Sequence, residues 1–351
     1  MAEPRRISII SPCRNERSHI AGFVESLLAQ ELPPQCSLEV LIADGMSDDG
    51  TREILDALAA RHPTLTVVSN PGRIVSKALN AAIRAATGDV IVRMDAHTTY
   101  ARDYVRACLE TLERTGADNV GGPWRAAGEG YLQRAIALVS HSPFASGGGR
   151  SHALDYEGEV DTVYLGCWRK GLFERVGLFD EELVRNQDDE LNLRIVRSGG
   201  RVWQSPAIRS SYAPRSSLAN LFSQYKQYGY WKVRVIQKHT LPASIRHVVP
   251  GAFVFALLVL ALLSLLWTPA RAGLVLVLAA YAVANLVASV HTCVAASTFR
   301  YLPVIPIVFG GYHFGYGYGF LRGCVDFLVL RRGEAGGAAF TGITRGSSRG
   351  A

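Results

Sequence analysis

No two cysteines stand as a Cys-x-x-Cys pair. The six, Cys13, Cys36, Cys108, Cys167, Cys293 and Cys324, are scattered, which excludes a zinc ribbon and a dense disulfide framework and makes reduced, cytosolic thiols the expectation. A Walker-type Gly-x-x-x-x-Gly-Lys-Ser/Thr is missing, as is a Gly-x-Gly-x-x-Gly after the first apolar run, so a P-loop nucleotidase and a Rossmann dehydrogenase both lose their phosphate-binding turn. Acidic residues are absent from 201–247, which carries eight Lys and Arg. Formal charge is absent from 248–267 and, a His291 proton aside, from 272–299; each run is long enough to cross about 30 Å of hydrocarbon at 1.5 Å per residue. The apolar run at 7–10 is too brief for a secretory signal, and the front half is expected to stay in the cytoplasm.

The net charge of +7 is unevenly placed. Residues 1–200 hold 22 Lys and Arg against 28 Asp and Glu, whereas 248–351 hold seven against two. The basic excess lies beside and within an apolar tail, not on the acidic front, which argues against a nucleic-acid partner and for a membrane surface.

Short β-branched runs at 7–10, 38–43, 65–69 and 90–94 alternate with helical periods such as Ile20, Phe23, Val24, Leu27 and Leu28. This βαβαβα rhythm predicts an α/β fold, a mostly parallel sheet with flanking helices and ligands at the strands' carboxyl ends. Around 126–160 the pattern breaks at Gly147-Gly148-Gly149, and a mobile excursion is expected there; a helix near 188–198 and a strand near Val202 follow. Leu218, Leu221, Phe222 and Tyr225 form a stripe beside Lys226, Lys232, Arg234 and Lys238, the pattern of an amphipathic interfacial helix. The expected organisation is a cytoplasmic catalytic domain at 1–215, an interfacial basic segment at 216–247, a transmembrane segment of two to three helices at 248–330 and a flexible tail at 331–351. The run at 301–321, with two prolines and five glycines, spans, re-enters or packs on the others. The basic block before the first span stays inside, leaving Arg271 in an outer loop. The chain is thus expected in the inner membrane, multi-pass, with its catalytic domain in the cytoplasm.

Acidic groups fall where predicted strands end: Asp44 within Asp44-Gly45-Met46-Ser47-Asp48-Asp49-Gly50-Thr51, and Asp95 within Arg93-Met94-Asp95-Ala96-His97. Turn and N-cap chemistry accounts for Asp48 and Asp49. Asp95 and His97 have metal-ligand spacing; a carboxylate with an imidazole suits Mn²⁺, while Mg²⁺ prefers oxygens. Asp188, Asp189 and Glu190 open a helix, where acids meet the helix dipole; three together also repel, which raises a pKa as a general base requires.

Together, Pro12-Cys13-Arg14-Asn15-Glu16, the Asp44 to Thr51 turn, Asn80 with Thr87-Gly88-Asp89, Asp95, and Gln187-Asp188-x-Glu190-Leu191-x-x-Arg194 resemble the inverting family 2 glycosyltransferases of GT-A fold, over about 5–240. The Asp-Ala-His and Gln-Asp-Asp-Glu-Leu segments and the apolar tail are most similar to the succinoglycan-type exopolysaccharide transferases. The resemblance implies a nucleotide-sugar donor, UDP-linked, with glucose one candidate sugar, and a lipid-linked saccharide acceptor, within a polysaccharide-biosynthesis complex. It implies that Pro12, Arg14, Asn15 and Glu16 cup the uridine, that Asp44 with Ser47 reads the uracil, and that Asp95 holds a divalent cation, Mn or Mg, on the diphosphate. Asp188 matches the base. His97 stands where the family has a second Asp, as a further ligand. Arg73 and Lys77 are candidates for the diphosphate or exposed helix charges, and Trp168, Arg169 and Asp189 are candidates for the acceptor, with Trp168 read equally as core. The Gln-x-x-Arg-Trp signature of processive enzymes is absent after Gln224, so single-sugar addition is expected. Two alternatives remain, a polyprenyl-phosphate glycosyltransferase and a catalytically silent scaffold of a polysaccharide-export complex.

Overall fold

In chain order the elements are β1 (Arg5–Cys13), α1 (Ile20–Leu28), β2 (Cys36–Asp44), α2 (Thr51–Ala59), β3 (Leu65–Ser69), α3 (Val75–Ala85), β4 (Val90–Arg93), β5 (Thr98–Tyr100), α4 (Tyr104–Thr115), β6 (Asn119–Gly122), α5 (Tyr131–Ser140) and α6 (Pro143–Ser146). They continue as β7 (Gly158–Glu159), β8 (Tyr164–Arg169), α7 (Leu172–Val176), α8 (Gln187–Arg197), β9 (Val202–Gln204), β10 (Ser210–Tyr212), α9 (Leu218–His239), α10 (Val249–Leu263), α11 (Thr268–Ala295) and α12 (Ile305–Gly323). This computed structural model describes residues 5–332 and 338–341; most of the expected tail at 331–351 lies outside them. Contacts divide the chain into two units, Met1–Arg125 with Ala153–Tyr212, and Ala126–His152 with Ala213–Ala351.

The first unit is built on an eight-stranded sheet in the order β3-β2-β1-β4-β8-β6-β9-β7. The pairs β1–β2, β2–β3, β1–β4 and β6–β9 are parallel, while β8 runs antiparallel between β4 and β6. Strand order reverses between β1 and β4, and a crevice opens at the carboxyl ends of strands on either side of such a reversal. The two-residue period of the strands builds a separate core on each face. Ile7, Ile9, Val40, Ile42, Val90 and Val92 pack with α1, α2 and α4, and Ile10, Leu41, Ala43 and Ile91 pack with α3, α7 and α8. Arg93 follows Ile91 in that period, so its side chain leaves the sheet on the α8 face.

The second unit is helical, and it differs from expectation in three places. The excursion after Arg125 forms α5 and α6, with Ala135, Ile136 and Val139 buried beside Val308, Phe309 and Tyr312 of α12; the glycines at 147–149 follow α6 and do not dissolve it. Most of the apolar stripe of α9 is covered by protein: Leu221 is buried, Leu218 packs on the same cluster, and the Tyr225 ring lies 3.9 Å from that of Tyr312, while Phe222 stays exposed. Backbones meet where α9 and α12 touch, because a Cβ at Gly229 would strike the Tyr316 carbonyl and one at Gly319 the Lys226 carbonyl. The glycines of the third apolar run are therefore a packing surface. The expected first span is a helix of 15 residues, so that among the described residues only α11, with 28, is long and apolar enough to cross a membrane.

Candidate active site

The first wall of the crevice joins the ends of β1 and β2. Cys13 pairs with Asp44, and the Cys13 carbonyl accepts from Gly45 N at 2.7 Å. Beyond this point both chains turn sharply, with positive φ at Asn15 (55°) and Met46 (59°). Ser47 ties them together: its hydroxyl donates to Asp44 Oδ1 at 2.5 Å and accepts from Asn15 N at 2.9 Å. Asn15 Nδ2 donates to Asp48 Oδ1 at 2.8 Å, and Asp48 N returns a bond to Asn15 Oδ1 at 3.1 Å. Glu16 N donates to Thr51 Oγ1 at 2.8 Å. The two motifs proposed to hold the uridine thus form one hydrogen-bonded cup, with Asp44 buried at its base. The backbone of Pro12 belongs to β1, and Arg14 has a buried Nε without a hydrogen-bond partner among the described residues. Arg73 and Lys77 are exposed, on the β3–α3 loop and in the first turn of α3; Asn70, which starts that loop, donates its N–H to the Asp44 carbonyl at 2.8 Å.

The second wall is made by β4 and α8. Arg93 grips Asp95 with two parallel bonds of 2.8 Å, Nε to Oδ1 and Nη2 to Oδ2, and turns its remaining arm, Nη1, to Asp188 Oδ1. One buried guanidinium therefore spans the two carboxylates that the sequence places 93 residues apart. Burial pulls the Arg93 pKa down, but Asp188 and Asp95 more than offset this and hold it charged. Asp188 is pushed up to about 6, by burial first, with repulsion from Asp95 and Asp189 added and Arg93 opposing. Its side chain still keeps 33% of its surface, so the carboxylate is both perturbed and reachable. Of the other two acids that open α8, Asp189 is half-buried beside Asp188, and Glu190 is taken by Arg194, Nε to Oε1 at 2.7 Å and Nη2 to Oε2 at 2.8 Å. Lower on α8, Asn192 accepts from Asn119 Nδ2 at 2.7 Å and donates to Thr162 Oγ1 at 3.0 Å, which pins the helix to the sheet.

Asp95 starts the turn into β5. The Tyr100 hydroxyl accepts from Asp95 N at 2.5 Å and donates to the Asp95 carbonyl at 3.1 Å. His97 does not turn to Asp95: its Nε2 lies 2.7 Å from Glu16 Oε1, joining the two walls. No group of three His, Cys, Asp or Glu suited to a metal exists among the described residues.

Two acceptor candidates fall elsewhere. Trp168 is 1% exposed in the core, between Phe173 and Phe179 at 5.7 and 6.0 Å. Arg169 stands opposite Val90, at the amino end of β4, and donates to the Ala117 and Leu112 carbonyls. Because β8 runs antiparallel to β4, its later residues move away from the crevice and its first approaches it. The β4–β8 pairing ends with Val92 opposite Cys167, and Tyr164, at the start of β8, bonds through its hydroxyl to Thr98 Oγ1 just after the Asp95 turn. Arg93, Tyr100 and Tyr164 were the residues missed; the one signal was a lone Arg closing the run Val90-Ile91-Val92.

Known proteins resemble the chain in sequence and in fold. The family description "Glycosyl transferase family 2" matches residues 8–172. "Succinoglycan biosynthesis protein ExoA" of Rhizobium meliloti (strain 1021) is 35% identical over 246 residues, 70% of this chain and 74% of that protein. A Methanococcus voltae protein, named dolichyl N-acetyl-alpha-D-glucosaminyl phosphate 3-beta-D-2,3-diacetamido-2,3-dideoxy-beta-D-glucuronosyltransferase, is 28% identical over 91% of this chain and 97% of its own. A mannosyltransferase from Pyrobaculum calidifontis, solved with GDP-Man and Mn²⁺, shares the fold, with a TM-score of 0.58 over 92% of this chain and 88% of that one at 22% identity.

Proposed function

Because the chain belongs to glycosyltransferase family 2 and is a glycosyltransferase of exopolysaccharide or glycan biosynthesis, we propose that it is a membrane-anchored, inverting enzyme that moves one hexose from a UDP-sugar to a lipid-linked saccharide. The observation that carries this reading is the Asp188–Arg93–Asp95 bridge at the carboxyl edge of β4, which sets a raised, accessible carboxylate beside a second one. Asp188 is the base. It takes the proton of the acceptor hydroxyl as that oxygen attacks C1 of the donor sugar; the bond from C1 to the phosphate oxygen breaks, and UDP leaves with the electron pair. Attack on the face opposite the leaving group inverts the anomeric centre. Asp44, Ser47 and Asn15 form the cup for the base and ribose, and Arg14, Arg73 and Lys77 line the diphosphate side.

A divalent cation fits this site through one carboxylate. The Asp95 side chain keeps 25% of its surface at the strand end, and each of its oxygens accepts one bond from Arg93, so Asp95 is the residue that would hold the cation. His97 is occupied by Glu16 and is not counted among the ligands. When bound, the cation would supply positive charge to offset the charge on the departing nucleotide. The protein's own part is to hold Asp95 by Arg93 and by the Tyr100 hydroxyl.

The acceptor reading draws on the Methanococcus relative, whose name specifies a lipid-linked, already glycosylated phosphate. Anchoring draws on α11 and on the exposed apolar side chains of α10, among them Phe255, Leu258 and Leu262. Nucleotide release from a panel of UDP-, GDP- and dTDP-sugars tests the donor. Asp44→Ala should weaken nucleotide binding by calorimetry, while Asp188→Asn keeps it and lowers turnover roughly 100-fold or more, the scale of general-base loss. Equal loss of nucleotide affinity in both variants would remove Asp188 from the base role.

A further inference from the structure

We infer that Trp124, Tyr164 and Tyr212 form the acceptor subsite, a three-ring wall that stacks on the apolar C–H face of a pyranose and presents its hydroxyl to Asp188; this rests on the saccharide-acceptor reading above. The three rings come from separate parts of the first unit and converge beside the turn after Asp95. Tyr164 starts β8 and is bonded through its hydroxyl to Thr98 Oγ1 at 2.6 Å. Thr98 is also the register partner of Tyr212 across the β5–β10 pair, and its N–H donates to the Asp95 carbonyl at 3.1 Å. Trp124 follows Gly122, the partner of Tyr164 in β6. Its ring meets Tyr164 edge-on at 4.6 Å and Tyr212 at 4.9 Å, and the two tyrosine rings lie 6.1 Å apart.

Unlike Trp168, all three are half-buried. A core cluster excludes water from every side; this one keeps surface, and the Tyr164 hydroxyl is within electrostatic reach of Asp95 and Arg93. Aromatic rings rimmed by a few polar groups are the usual lining of a small-ligand site, and a ring face suits a hexose because one side of the sugar is mostly C–H while its rim is hydroxyl. The Tyr100 hydroxyl that braces Asp95 belongs to the same strand as Thr98. The wall and the Asp95 turn are therefore one unit, and a sugar seated on the rings lies beside both carboxylates.

The test uses the full chain in nanodiscs, with the sugar nucleotide that gives turnover as donor. Octyl β-D-glucopyranoside and octyl β-D-galactopyranoside, below their micelle concentrations, serve as acceptor probes. Trp124→Leu should raise the acceptor KM about 10-fold or more, with donor KM and acceptor-independent donor hydrolysis within about twofold of the parent. Trp124→Phe, which keeps a ring, should restore most of the loss. Saturation-transfer NMR on the parent should show aromatic protons transferring to the C–H protons of one sugar face, a readout that needs no variant. An unchanged acceptor KM in Trp124→Leu, or loss of donor hydrolysis in step with transfer, overturns the subsite alone. A parent that ignores both glycosides yet glycosylates undecaprenyl phosphate overturns the saccharide-acceptor reading and the subsite with it.

Discussion

Replacing Arg93 by Met tests the reasoning about the crevice, because that one side chain holds both of its carboxylates. In the parent, Asp188 titrates at about 6 although Arg93 opposes the rise. The base works only when ionised, so kcat should increase with pH through about 6 and level off above it. An opposite charge within a few ångströms is worth about 1–3 pKa units, so its removal should carry the midpoint to between about 7 and 9. For a midpoint near 8, only about a tenth of Asp188 is ionised at pH 7, and kcat there falls roughly tenfold but recovers toward pH 9. Arg93→Lys keeps the charge while losing the two-pronged grip on Asp95, so it should leave the midpoint near 6 and raise donor KM instead. The assay is nucleotide release across pH 5–9 at saturating donor and acceptor, with donor KM measured alongside. A Met variant whose acid limb stays near 6, or whose loss is the same at every pH, would refute the electrostatic coupling of Arg93 to Asp188.

Two further outcomes follow from the same geometry. His97→Asp, which restores the usual family pair, sets a carboxylate against Glu16; it should lower the melting temperature and raise donor KM, and His97→Asp with Glu16→Gln should recover both. A single His97→Asp variant with parental stability and a stronger cation requirement would return His97 to the ligand set. Glu39, for which burial acts upward, is held below its ordinary value by bonds from Ser8 and from the N–H groups and hydroxyl of Thr87 and Gly88. A lowered carboxyl pKa contributes stability above its unfolded value and loses it as pH falls through the folded one. Glu39→Gln should therefore cost stability at pH 7, with the gap in melting temperature narrowing below pH 4; a gap independent of pH would assign the loss to packing.

Much of the first unit was legible because strands buried on both faces read as apolar runs, and the four parallel strands were placed from them. Residues beyond a strand end were harder. Asp44, Asp95 and Asp188 were found as acids at strand or helix ends, but the pleat decides which neighbours face the crevice, and of the two readings open for Trp168, pocket and core, strand direction selects the core. Arg93 was passed over because a charge closing a strand reads as punctuation. The His97–Glu16 pair joins two segments 81 positions apart, a closeness no local spacing encodes. In α9 the amphipathic stripe was real, but amphipathicity does not say what covers the apolar face. Here Leu221 and Tyr225 meet α12, and the clue lay in that helix's glycines, whose absent side chains let the backbones touch.

The route of the chain bears on how it is made. It leaves the first unit after Arg125, returns at Ala153 and leaves again after Tyr212, so no single cut separates the two. During synthesis the catalytic sheet is complete once Tyr212 has emerged, but Ile136 and Val139 of α5 wait for Val308 and Phe309 of α12, about 100 residues later, which is roughly 5–20 s of translation. For that interval a finished α/β core carries an unsatisfied apolar hairpin, and the partner that will cover it arrives only after α11, the helix most suited to membrane insertion, has left the ribosome. A nascent chain stalled near His247 accordingly carries α5 without the α12 side chains that bury it.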